Sequence, residues 1–221
     1  RWKLFISHLL IIVIAVVVLL LTARFLASTS FAPPDATLSG QPLALDEAPP
    51  AHAPNAAAFQ SILEQSLLVA AFAAVKEQFG PVDVLEFSPA NPALPMAGPS
   101  EVTIENIQPQ IDFYIYGAVT AVQRVLPDML ARGSGTLLFT TGASSVYPNP
   151  MMGNIGIATA GLRNWAHALH LALAEHGIQV GHVAINAWIG QQPGAEPEHI
   201  APLYWELYTQ RDQVERIFAA A

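Results

Sequence analysis

The hydrophobic pattern of the chain begins with an apolar run from Leu4 to Ala23, which carries no formal charge and is bracketed by Lys3 and Arg24. Its length of about 20 residues suits a helix that crosses the ~30 Å hydrocarbon core of a bilayer. A buried core helix usually has a shorter apolar run, and a cleaved signal peptide ends at small residues such as those at 27–30. The pattern therefore predicts a transmembrane helix with a short N-terminal flank over residues 1–27.

The flanks of this run suggest an orientation. Arg1 and Lys3 precede it, and Arg24 is the only cation close behind it. The positive-inside tendency then places the N-terminus in the cytoplasm and the C-terminal part in the periplasm or outside the cell. Residues 28–55 are rich in Pro and Ala without a helix or strand period, which predicts an extended linker.

From residue 56 the pattern alternates helical periods with short apolar runs, which is typical of βαβ units and a parallel sheet over residues 56–221. The predicted strands are Val82–Phe87, Thr136–Thr141 and Ile178–Ile185. The predicted helices run from Ala56 to Gly80, from Ser100 to Arg132 with interruptions near Pro109 and Pro127, from Asn154 to His176, and from Glu198 to Ala220.

Composition narrows the functional classes. The chain has 9 Lys and Arg against 17 Asp and Glu, a net charge of -8, and no basic cluster, which argues against nucleic acid as a partner. It contains no cysteine, which excludes disulfides, thiolate metal sites and cysteine nucleophiles. Membrane lipid and other subunits of a membrane complex are the expected partners.

Three segments, in order, resemble the second half of a short-chain dehydrogenase/reductase: residues 79–85 (FGPVDVL), residues 125–141 (VLPDMLARGSGTLLFTT) and residues 160–185 (AGLRNWAHALHLALAEHGIQVGHVAI). The resemblance implies a doubly wound Rossmann sheet, an NAD or NADP cofactor, and hydride transfer between nicotinamide and an alcohol or carbonyl. The family's N-terminal glycine-rich turn, which holds the pyrophosphate, has no counterpart here. The fold expected is thus a partial Rossmann-like α/β domain behind a single transmembrane helix.

The residues that carry catalysis in the family are replaced. Its general acid/base Tyr aligns with Ile155, and the Lys that lowers the pKa of that Tyr aligns with Thr159. Isoleucine cannot transfer a proton and threonine carries no charge. The family's Ser falls at Gly142, and its helix-borne Asn falls at Tyr114. These degenerate positions predict no catalytic residues and no bound cofactor.

Several polar residues remain as candidates for binding. Ser88 stands where the family has an Asn-Asn-Ala-Gly segment, and Thr141, Ser144 and Ser145 are hydroxyl neighbours of Gly142. If the chain is an oxidoreductase, Ser88, Thr141 and Ser144 would contact NAD or NADP.

The remaining charged positions are interpreted as helix surface. His167 and His170 lie at i, i+3, but no third ligand is evident, so no metal site is predicted. Arg163 is assigned to the polar face of its helix. The Asp212, Glu215 and Arg216 side chains are expected on a solvated face of the last helix, with an intrahelical pair.

Three functions follow as hypotheses. The main one is a non-catalytic, membrane-anchored accessory subunit that uses a dehydrogenase-like domain for docking in a respiratory or photosynthetic complex. The first residues also resemble the α-polypeptide of bacterial light-harvesting complexes. The alternatives are a divergent NAD(P)-dependent short-chain oxidoreductase and a tethered domain that binds a small ligand.

Overall fold

The computed structural model describes residues 56–220. The transmembrane helix predicted at Leu4–Ala23 and the linker at 28–55 lie outside these residues. Over the described part of the chain, no helix has the length and hydropathy needed to cross a bilayer. Two compact units divide between Ala71 and Phe72, and the second unit, Phe72–Ala221, contains the sheet.

The described chain alternates helices and strands, as the sequence predicts. The helices are α1 (Ala56–Phe79), α2 (Ile104–Gln110), α3 (Gly117–Arg132), α4 (Gly153–Leu173) and α5 (Pro197–Gln210). The strands are β1 (Val84–Phe87), β2 (Gly135–Gly142), β3 (Ile178–Asn186) and β4 (Glu215–Ala219). Short 3₁₀ turns occupy Pro99–Glu101, Ala143–Ser145 and Ala174–His176, and a π-helix joins α2 to α3 over Ile111–Tyr116.

The four described strands form one parallel sheet in the order β1-β2-β3-β4. Helix α3 packs against β1 and β2, α4 against β2 and β3, and α5 against β3 and β4. Side chains alternate between the two faces of a strand, so Phe139 meets Trp165 of α4, with ring centroids 5.8 Å apart, while Leu138 packs with Leu207 of α5. Each face of the central strands is therefore covered, which explains their nearly continuous apolar runs.

The end of the chain differs from the prediction of one helix over Glu198–Ala220. Helix α5 ends at Gln210, because Arg211 adopts a left-handed conformation with φ 54°, and residues 215–219 form β4. β4 pairs in register with β3, placing Glu215 opposite His182. Tertiary pairing with the open edge of β3 overrides the local helical pattern.

The long helical region from Ser100 is confirmed in outline. Thr103 caps α2 by accepting a hydrogen bond from the Asn106 amide at 3.3 Å. The predicted interruption near Pro127 does not occur, since α3 continues to Arg132. Directly after Pro109, however, the π-helix Ile111–Tyr116 widens the turn and carries Tyr114.

Two glycine turns approach each other where α3 and α4 end. Gly133 and Gly177 both have positive φ, 67° and 71°. A Cβ on Gly177 would lie 2.3 Å from the Gly133 carbonyl oxygen, a backbone atom that cannot move aside easily. The turn before β3 therefore needs glycine both for its conformation and for its close contact.

Replacing Gly177 with Ala should therefore destabilise the domain by about 3 kcal/mol, from the left-handed conformation together with the clash. Gly190→Ala is the matched control, because Gly190 has φ 69° but a Cβ at that position would meet nothing within 4 Å, and it should cost about 1 kcal/mol. Urea unfolding of both variants measures the difference. Equal losses would contradict the close contact.

Candidate functional site

The first group of candidate residues lies where β2 ends and α4 begins. Gly142 closes β2, the turn Ala143–Ser145 follows, and Ile155 and Thr159 lie on the first turns of α4. In open parallel sheets, ligands bind beyond the carboxyl ends of the strands. The structure thus brings together four residues at the carboxyl end of the strands, where a ligand is expected to bind: Gly142, Ser144, Ile155 and Thr159.

Ser144 supplies a hydroxyl at the position that Gly142 leaves without a side chain. A Cβ built on Gly142 would lie 4.0 Å from the Ser144 Oγ, the nearest atom beyond the adjacent residues. The same Oγ lies 3.5 Å from the Thr159 Oγ1. Ser144 therefore offers a hydrogen-bond donor close to the point where a side chain at position 142 would begin.

Thr159 and Ile155 cannot replace an acid/base pair. Thr159 is buried and donates its hydroxyl to the Ile155 carbonyl oxygen at 2.9 Å, a bond within its own helix. Ile155 has no ionisable group. The site consequently contains hydroxyls but neither a Tyr nor a Lys at these two positions.

Two other sequence candidates lie elsewhere. Burial raises the pKa of Tyr114, which lies in the π-helix with its ring edge against Phe113. Ser88 is exposed just after β1. No described contact joins either residue to Ser144.

A polar cluster that was not predicted from the sequence lies on the α5 face of the sheet. The Tyr204 hydroxyl and the Thr140 hydroxyl are 2.7 Å apart. Burial raises the pKa of Tyr204 to about 12, with the Thr140 hydrogen bond acting against the shift. Burial also raises the pKa of Glu86, although the Ser88 and Thr140 hydroxyls oppose it. The only sequence signal was an acidic residue within an apolar strand.

A second cluster that was not predicted centres on Glu215. Arg163 of α4 donates two hydrogen bonds to its carboxylate, at 2.6 and 2.8 Å. The Nε2 of His167 lies 3.2 Å and the Nδ1 of His182 lies 2.9 Å from the Glu215 Oε1. The interpretation of Arg163 and Glu215 as helix surface is therefore wrong. Glu215 lies on β4, and its carboxylate contacts the side chain of Arg163 on α4.

This arrangement controls the charge of Glu215. Burial alone would raise the pKa of its carboxyl, but hydrogen bonds from Arg163 and the two imidazoles lower the pKa to about 2. The carboxylate therefore stays ionised at neutral pH and acts only as an acceptor. Arg216 does pair with Asp212, at 3.3 Å, but the pair is not intrahelical as expected, because Arg216 lies on β4. Arg216 also contacts Glu206 of α5 at 3.4 Å.

His182 extends the cluster towards the end of β2. Its ring is completely buried, and its Nε2 lies 2.9 Å from the Thr141 Oγ1. Thr141 in turn lies 2.7 Å from the Ser145 Oγ, which also reaches the Gly142 carbonyl oxygen at 3.0 Å. Thr141, predicted as a binding residue, thus points into the protein rather than towards a ligand.

The His167–His170 pair is divided between two environments. The Nδ1 of His170 contacts the Val180 carbonyl oxygen at 3.2 Å. His167, His182 and Glu215 have their potential ligand atoms within 4.8 Å of one another, a grouping that could hold a metal ion. However, the guanidinium of Arg163 already bonds the Glu215 Oε1, and its positive charge disfavours a cation there. The contacts therefore describe an ion-pair network.

Comparison with known proteins identifies the fold family. The family model described as short chain dehydrogenase matches residues 48–188, more than half of the 221-residue chain. The chain belongs to the short-chain dehydrogenase family. It is 30% identical over 138 residues to oxidoreductase asL5 of Sarocladium schorii, covering 62% of this chain and 54% of that protein. The chain thus spans about half the length of this curated relative.

Solved structures agree on the fold. A putative short-chain dehydrogenase from Novosphingobium aromaticivorans superposes with a TM-score of 0.62 at 17% identity, covering 69% of this chain and 57% of that one. Acetoin dehydrogenase YohF from Salmonella typhimurium gives a TM-score of 0.59 at 19% identity, and the match covers 73% of this chain and 80% of that one. These likenesses establish the Rossmann-like sheet, and they give no support to the resemblance to light-harvesting polypeptides.

The charge state of His182 links this network to pH. Burial lowers its pKa, although its bond to Glu215 acts in the opposite direction. The folded state therefore keeps the ring neutral at a pH where the unfolded chain, with a His pKa of about 6.5, takes up a proton. Because the unfolded state then binds more protons, folding stability falls as the pH decreases below that value.

Substituting His182 with Gln should flatten the decline in stability below about pH 6.5, by up to about 1.4 kcal/mol per pH unit. The stabilisation from Glu215 is lost at lower pH, as its folded pKa of about 2 is approached. His199→Gln is the control, since that side chain is 60% exposed. Urea unfolding across this pH range provides the measurement, and an unchanged slope in the His182 variant would contradict the assignment.

Proposed function

We propose that the chain belongs to a divergent NAD(P)-linked short-chain oxidoreductase in which Ser144 binds the oxygen of a carbonyl or alcohol substrate. The observation that carries this proposal is the position of the Ser144 Oγ, which would lie only 4.0 Å from a Cβ built on Gly142. The family's Ser falls at position 142, so Ser144 offers a similar hydroxyl from the next turn. Relatives named oxidoreductase and dehydrogenase support this function over a purely structural one.

The described residues would suit the nicotinamide end of NAD or NADP. Ser144 and Thr159 offer hydroxyls at the carboxyl end of β2, where the nicotinamide would be held. On the adenosine side, Pro89 lacks a backbone N–H, and Ser88 is the available donor beside it. When bound, the cofactor would supply or accept the hydride.

The protein groups would handle the substrate oxygen without a side-chain acid. Ser144 can donate a hydrogen bond to the carbonyl oxygen and so stabilise the charge that develops on it. Ile155 cannot protonate that oxygen, and Thr159 already donates its own hydroxyl proton to the helix backbone. The proton would therefore come from water, at a rate about 10² to 10⁴ times below that of a positioned acid.

Ser144→Ala should lower kcat/KM for NADH- or NADPH-linked carbonyl reduction about a hundredfold, because it removes a donor aimed at the developing oxyanion. Ser134→Ala, in the exposed turn before β2, is the matched control and should leave the rate unchanged. The absorbance of the reduced nicotinamide measures the reduction rate. The assay uses the full chain in mild detergent with a panel of ketones and aldehydes. Absence of turnover in the unmodified chain would count against the function.

The second candidate is a non-catalytic docking module. The observation that favours it is the pair Ile155 and Thr159 at the family's acid/base and lysine positions. In this hypothesis the chain is an accessory subunit anchored in a membrane, with lipid and other subunits as its partners. Cofactor binding without turnover, or no binding at all, would favour this candidate.

Restoring the missing pair separates the two candidates. The double variant Ile155→Tyr with Thr159→Lys should raise kcat at least about a hundredfold if substrate and cofactor already bind, because a positioned acid contributes 10²–10⁴. Ile157→Tyr with Thr159→Lys is the matched control, since Ile157 lies on the same helix but is 51% exposed. The nicotinamide assay measures both, and circular dichroism checks that each variant folds. An inactive, folded double variant would argue for the docking module.

A further inference from the structure

A continuous chain of buried polar contacts joins β4 to the turn that carries Ser144. It runs from the Glu215 carboxylate to His182 at 2.9 Å, on to Thr141 at 2.9 Å, and on to Ser145 at 2.7 Å. The Ser145 Oγ also lies 3.0 Å from the Gly142 carbonyl oxygen, which shares the single hydroxyl proton that Ser145 donates to Thr141. Each link belongs to a different strand or turn, so the chain crosses three adjacent strands, from the start of β4 through the middle of β3 to the end of β2.

His182 is the central link, because both of its ring nitrogens are engaged. The ionised Glu215 can only accept, so the Nδ1 of a neutral ring donates to it. The Nε2 is then an acceptor for the Thr141 hydroxyl. With both nitrogens held and no exposed surface, the ring has a single orientation.

The turn beyond β2 packs against α4 but makes few other hydrogen bonds among the described contacts. Its backbone is closed by the Val146 and Tyr147 amides, which donate to the Ala143 carbonyl oxygen at 2.9 and 2.8 Å. The Ser144 hydroxyl itself makes one long contact, 3.5 Å, with Thr159. Gly142 provides no side chain. The Ser145 side chain is therefore the buried anchor of this turn.

We propose that His182 is a positioning residue, which holds the turn Ala143–Ser145 through Thr141 and thereby fixes the direction of the Ser144 hydroxyl. The use of that hydroxyl in catalysis rests on the proposed function, but the mechanical link does not. Arg163 fixes the far end of the chain through its two bonds to Glu215. Since Arg163 and Thr159 share α4, the same helix supports both ends of the site.

Two substitutions of similar size distinguish this role from simple core packing. The amide of a Gln at position 182 can reach the place of Nε2 and keep the bond to Thr141, whereas Asn reaches only the place of Nδ1. His182→Asn should therefore speed hydrogen exchange of the Val146 and Tyr147 amides about tenfold, the effect of one lost buried hydrogen bond. His182→Gln should leave them near the unmodified rate. Exchange followed by mass spectrometry or NMR on the full chain measures both.

A second pair of variants tests the link from the other side. Thr141→Val keeps the side-chain shape but removes the hydroxyl, and should reproduce the tenfold increase in exchange. Thr140→Val is the control, because the Thr140 hydroxyl bonds Tyr204 on the opposite face. This pair decides the question even if His182→Asn fails to fold.

The outcomes separate this inference from the proposed function. Equal exchange in Thr141→Val and Thr140→Val would overturn the positioning role, whatever the activity. If the unmodified chain turns over nicotinamide substrates, Thr141→Val should lower kcat about tenfold with little change in KM. A normal kcat in that variant would also overturn the role. No turnover in the unmodified chain would refute the proposed function, while the exchange result would still decide the mechanical link.

Discussion

The part of the domain around β3 and β4 depends on one set of interactions, the hydrogen bonds and ion pair made by the Glu215 carboxylate. A single oxygen, Oε1, is approached by donors from Arg163 on α4, from His167 on the same helix, and from His182 on β3. Removing the carboxylate would leave a guanidinium and a buried imidazole without their acceptor, and unpaired groups of this kind cost more than the bond itself contributes. Glu215, one residue of the short strand β4, thus links α4 to β3 and β4.

The sequence predicts strands β1 to β3 and the helices between them, but it does not predict the last strand, β4. Glycines at 80, 133 and 177 and the apolar runs of β1 to β3 are local signals, and each gave an element close to its observed bounds. β4 has no such signal, because residues 215–219 follow a helix and contain only five residues. Its strand conformation comes from pairing with β3, and the burial of Glu215 comes from partners that lie 33 to 52 positions away. Contacts of that range cannot be inferred from periodicity.

The candidate site was predictable to a similar extent. Alignment with family motifs assigns Gly142, Ile155 and Thr159 to three functional positions of the family, and the structure brings these residues together where β2 ends and α4 begins. It could not assign the direction of each hydroxyl. Thr141 and Ser144 are three residues apart, yet Thr141 points to the buried His182 and Ser144 points to Thr159. The alternation of a strand and the geometry of a 3₁₀ turn decide which hydroxyl is available to a ligand.

The hydroxyls at the end of β2 fall into two groups: Ser144 contacts Thr159, whereas Thr141 and Ser145 contact each other and Thr141 contacts the buried His182. A positioned donor is useful only if its direction is fixed before the substrate arrives, since reorientation during the reaction removes most of its effect. The family's arrangement achieves this with charged and aromatic groups, which Thr159 and Ile155 do not provide. In this chain the inward-facing Ser145 contacts Thr141, Thr141 contacts His182, and His182 contacts the ionised Glu215. These buried contacts support the turn that carries Ser144 without an ionisable side chain at position 155 or 159.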